Sequence, residues 1–104
     1  MNVDHLTWLQ QFYAGLCNGD WEHSYGFSIS NIDNPGWRIE FDICGTYLER
    51  EVFIQRKTER TELDWIHCVV KEKKFIGYGG PGNLSELISV FREWVDEHTN
   101  SGAR

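Results

Sequence analysis

The sequence predicts an α+β domain: an antiparallel sheet of about four to five strands, with an N-terminal and a C-terminal helix packed on one face. Three observations lead there. Apolar residues recur at helical spacing at both ends of the chain. Between the ends they alternate with polar residues, as in half-buried strands. The intervals between those alternating stretches are too short for parallel crossovers. With 104 residues the chain forms a single domain, residues 1–104, long enough to bury one core and too short for two.

The elements follow in order. Leu6, Leu9, Phe12, Tyr13 and Leu16 share one helical stripe, with Trp8 beside them, Asp4 as N-cap and Asn18-Gly19 as the stop. Tyr25, Phe27 and Ile29 alternate with small polar residues, which predicts a first strand. "DNPG" (residues 33–36) is turn chemistry. Trp37, Ile39, Phe41 and Ile43 then alternate with Arg38, Glu40 and Asp42, so the four apolar residues face the helices and the charged ones face out. A third strand is expected over Val52–Thr58, and a fourth over Asp64–Glu72, apolar enough on both sides to be central. Lys73-Lys74 reads as a turn and "FIGYG" as a short fifth strand. Asn83 opens the last helix, with Glu86 completing a capping box and Leu84, Leu87, Ile88, Phe91, Trp94 and Val95 as its stripe.

Composition narrows the function classes. No run of 18 apolar residues exists to span a membrane, and the N-terminus has no basic region followed by an apolar run. Three cysteines with no CxxC spacing fit a reducing cytoplasm rather than a disulfide framework. The net charge is −6, and residues 1–55 hold eight carboxylates against Arg38 and Arg50, which accounts for all of it. Such a balance disfavours nucleic acid and suits either simple solubility or a basic partner.

Three motifs bear on chemistry. "GYGGPG" (residues 77–82) matches the dinucleotide glycine pattern, but the strand and acidic residue that must follow are missing, so it reads as a tight strand-to-helix turn. Cys44 with Arg50 six residues on is weakly similar to the cysteine loop of rhodanese-type sulfurtransferases, the basis of an alternative reading as a small cytoplasmic enzyme. Glu49 and Glu51 oppose a thiolate there. The cluster "CNGDWEH" (residues 17–23) offers Asp20, Glu22 and His23 as an acid–base set, or with Cys17 as ligands, though it lacks any standard zinc spacing. It reads equally as a loop tying helix to sheet, with Trp21 and Tyr25 as anchors and Trp37 as a further structural ring. No metal, cofactor or catalytic set is expected.

Three stretches together carry a resemblance: residues 8–37, "DWIHCVV", and "GYGGPGNLSELISVFREWV". The most specific part is Cys17 to His23, then Tyr25-Gly26, then Asp33 to Trp37. From Trp8 to Val95 the chain resembles the bacterial immunity protein 53 family. The resemblance implies a cytoplasmic antidote that binds a polymorphic toxin and blocks its active site or its movement. No catalytic residues come with it. Asp20, Glu22, His23, Glu40 and Asp42 are then the expected contacts to a basic toxin domain.

Overall fold

The computed structural model describes residues 4–102. Helix α1 (His5–Leu16) starts at Asp4, whose carboxylate accepts a hydrogen bond from Thr7 N at 2.9 Å. The chain leaves the helix at Cys17, reverses at Gly19 with φ +91°, and makes one 3₁₀ turn, Trp21–His23. Strands β1 (Phe27–Ile32), β2 (Gly36–Asp42), β3 (Arg56–Thr61), β4 (Asp64–Lys71) and β5 (Lys74–Gly79) follow, then helix α2 (Leu84–Gly102). The strands form one antiparallel sheet in the order β1-β2-β5-β4-β3. Neither described helix is long and apolar enough to cross a membrane.

Register sorts the side chains into two faces, because successive strand residues point opposite ways. Phe27, Phe41, Phe75 and Val70 form one row on the helix side; Ile29, Ile39, Gly77 and Cys68 form the next. Both helices cover this side. Phe91 of α2 is the hub, its ring 4.9 Å from Phe41 and from Phe75 and 5.6 Å from Phe12 of α1. Ile39, Phe41 and Ile43 are fully enclosed, and Trp37 packs half-buried beside them with Nε1 donating to Pro81 O. The expected orientation of β2 holds.

Gly77, Gly79 and Gly80 serve packing. A Cβ on Gly77 would meet Ile39 at 3.0 Å and Leu87 at 3.2 Å, and one on Gly80 would come 2.3 Å from Leu63 O. Across the sheet, a Cβ on Gly36 would fall 2.1 Å from Gly79 O. Bare backbone at Gly77 lets α2 lie close against β5, and at Gly36 and Gly80 it lets neighbouring main chain close in.

The structure departs from the sequence reading at β3, at the β4–β5 turn and in the strand order. The third strand begins at Arg56 rather than Val52. Phe53 packs its ring against Phe75 and Trp94, and Trp94 Nε1 donates to Val52 O at 2.9 Å, so residues 52–54 are drawn onto the middle of α2 instead of along β4. Val52 and Ile54, on either side of that anchor, are left 79% and 83% exposed. The β4–β5 turn is Glu72-Lys73, both at positive φ, while Lys74 already belongs to β5. Strand β4 is interior, but the middle place belongs to β5.

Candidate functional site

The cluster after α1 is built by short-range hydrogen bonding. Asn18 Oδ1 accepts from the backbone N–H groups of Asp20 and Trp21 at 3.0 and 2.9 Å. Glu22 reaches back to the N–H groups of Asn18 and Gly19 at 3.0 and 2.8 Å. Its own backbone N–H, then those two, holds its carboxyl below the ordinary carboxylate range. Trp21 is buried, with its ring about 6 Å from those of Tyr13, Tyr25 and Phe27 and its Nε1 donating to Cys44 O at 2.9 Å. Gly45, at φ +79°, passes over that ring where a Cβ would come within 3.3 Å. Trp21 and Tyr25 therefore pin the loop to the end of β2. Asp20 and His23 stand exposed, with no side-chain hydrogen bond among the described residues.

The two strand carboxylates lie on the opposite, outer side of the sheet, as their alternation requires. Neither stands alone. Asp42 Oδ2 accepts from Gly26 N at 2.9 Å and Oδ1 from Lys74 Nζ at 2.7 Å. Glu40 pairs with Arg38 at 2.7 Å, and Arg38 sits over the Tyr78 ring. Lys74 is held protonated above its ordinary range by Asp42 first and Glu40 after it. This outer face carries Arg38, Glu40, Ile76, Tyr78, His67 and Val69 in two rows, and neither described helix covers it. The loop and the strand carboxylates meet at the start of β1: Trp21 against Phe27 from the helix side, Asp42 on Gly26 from the other.

Each of the three cysteines is bonded or buried. Cys44 Sγ donates to the Tyr25 hydroxyl at 3.2 Å, and the chain beyond it runs through turns rather than into a helix. The antiparallel sheet also lacks the doubly wound parallel frame of the sulfurtransferases. Cys17 Sγ donates to Tyr13 O, one helical turn back. Burial pushes the Cys68 thiol up to about 12, which keeps it protonated. Among the described residues no three His, Cys, Asp or Glu side chains converge to hold a metal ion. At the α2 N-terminus, Asn83 Nδ2 donates to Asp64 and Glu86, and Arg60 clamps the same two carboxylates.

A family model described as immunity protein 53 matches residues 6–96, from the first turn of α1 to the body of α2. No curated protein and no solved structure matches the chain.

Proposed function

The chain belongs to the immunity protein 53 family, and from that premise we propose that it neutralises a cognate toxin of a bacterial polymorphic toxin system by binding it one to one in the cytoplasm. Membership in an immunity family implies a toxin partner. The observation that supports direct binding is the sheet face left without a helix, rich in ring and charged side chains of the kind that dominate protein interfaces. The acidic first half is the half that meets a basic toxin domain, with Asp20, Glu22, His23, Glu40 and Asp42 around the start of β1 as its contacts. Asp20 and His23 are free to engage directly. Glu22, Glu40 and Asp42 are already held by backbone or by a cation, so they offer a fixed arrangement to a partner that shares those bonds.

The test is a titration of the toxin domain encoded beside this chain's gene. Toxin activity should fall linearly and reach zero at an equimolar ratio, and light scattering should give the mass of a heterodimer. Protection at a small fraction of the toxin's concentration would mean turnover, and would refute stoichiometric inhibition.

A further inference from the structure

The two edges of the sheet are unlike each other. Strand β3, at one edge, reads Arg-Lys-Thr-Glu-Arg-Thr and carries an irregularity between Glu59 and Thr61. Charges and bulges of this kind keep an edge from pairing with another chain. Strand β1, at the other edge, reads Phe-Ser-Ile-Ser-Asn-Ile, with no charge, no proline and no break in register. Its backbone phase is fixed by Asp42 N donating to Gly26 O at 3.1 Å. Hydrogen-bonded pairs alternate along an antiparallel ladder. The N–H and C=O groups of Phe27, Ile29 and Asn31 therefore point away from β2, toward the open edge.

Beside that edge lies an apolar slot. Leu6, Leu9, Gln10 and Tyr13 form one stripe of α1 that overhangs Gly26 and Phe27, enclosing about 280 Å³. Leu6 is 60% exposed and Ile29 38%, although both are large aliphatic residues. A strand laid along β1 would turn every second side chain to the helix side, into this slot.

We propose that the β1 edge takes an extended segment of the toxin as an added strand. The segment's alternate apolar side chains enter the slot between α1 and β1, and Lys or Arg residues flank it. This rests on the toxin-binding reading above and names its docking element. Charge selects the occupant. The edge lies within residues 1–55, which carry the whole net charge of −6, so a second copy would bring like charge to like while a basic-flanked strand is attracted.

The experiment uses the full chain, ¹⁵N-labelled, with an inactivated form of the toxin domain encoded beside its gene. On complex formation, amide exchange at Phe27, Ile29 and Asn31 should slow markedly. Ile29→Pro removes one outward N–H without touching the β1–β2 ladder, and Leu6→Glu puts a charge in the slot from an exposed helix position. Each should raise Kd about tenfold or more, while the melting curve of Leu6→Glu stays that of the parent chain. A complex in which both variants bind like the parent, or whose new protection falls on β3 or the outer face, overturns the edge assignment and leaves toxin binding standing. Protection of the edge in the free chain, with a dimer mass lost in Ile29→Pro, assigns the edge to a second copy and overturns the proposal. No complex with the parent chain removes both readings.

Discussion

Trp21 shows how one side chain can decide what a cluster of reactive types is for. Its ring is 6% exposed, packed among three other rings, and its indole N–H is spent on Cys44 O. Trp21→Ala should cost about 3–5 kcal/mol, the range for truncating a buried ring, read as a lower urea midpoint at unchanged slope. Trp21→Phe should cost less, since it keeps most of the packing and loses only the hydrogen bond. Cys44 makes a single thiol contact to Tyr25, so Cys44→Ser should leave both the melting temperature and protection against toxin close to the parent's. Loss of protection with an intact fold would reinstate that thiol as a reactive group. The brace role of Trp21 and Tyr25 was legible because rings beside a helix stop have little choice but to pack. That Glu22 serves backbone N–H groups was not legible, since its partners depend on how Gly19 turns the chain.

Among the elements, the start of α2 is tied to β4 by a charged knot. The Arg60 guanidinium and then the Asn83 amide hold the Asp64 carboxyl below the ordinary range, and Lys73 does the same for Glu49 at the other end of the sheet. Carboxylates depressed in the folded state bind protons less readily than in the unfolded chain, so stability rises with pH wherever they titrate. Their contribution is complete above the unfolded values of about 4 and is lost as pH falls through the lower folded ones. Urea midpoints should therefore drop between pH 5 and pH 3, and Asp64→Asn should flatten part of that slope. An equal drop in the variant would show that Asp64 carries none of it. Helix positions, hairpins and the inward face of β2 were all readable from period and turn chemistry. The true start of β3 was not. Val52 and Ile54 have strand composition, but the ring of Phe53 finds Trp94, 41 positions along the chain, and that contact outcompetes the ladder.

For the whole molecule, the charge imbalance of residues 1–55 is a statement about encounter rather than folding. Reversal at Asp42 would also break its bond to Gly26, so the cleaner probe is Asp20→Lys with Asp33→Lys, both exposed and without an ion-pair partner among the described residues. At low ionic strength the pair should slow association with the toxin roughly 3- to 10-fold, with the difference shrinking as salt is added. The control is Asp96→Lys with Glu97→Lys on α2. Slowing by the control alone would move the toxin to α2. Strand order was the part of this picture that composition could not supply. The neutralisation of Asp42 by Lys74 arises only once β2 and β5 are neighbours.

That neighbourhood divides the chain in a second way. Everything up to β2 is one continuous piece, α1 with the β1–β2 hairpin; everything from β3 onward is another, a three-strand meander feeding α2. Within the sheet they join along a single seam, β2 with β5, and the covalent link across it is the turn-rich stretch 43–55. That stretch acts as a tether, raising the effective concentration of one half near the other. A chain severed between Arg50 and Glu51 becomes a pair of fragments with formal side-chain charges of −5 and −1, so little mutual repulsion opposes their reunion. The two fragments, produced separately and mixed, should reassemble into a noncovalent heterodimer with the circular dichroism of the intact chain. Its melting temperature should climb with fragment concentration, as that of the uncut protein does not.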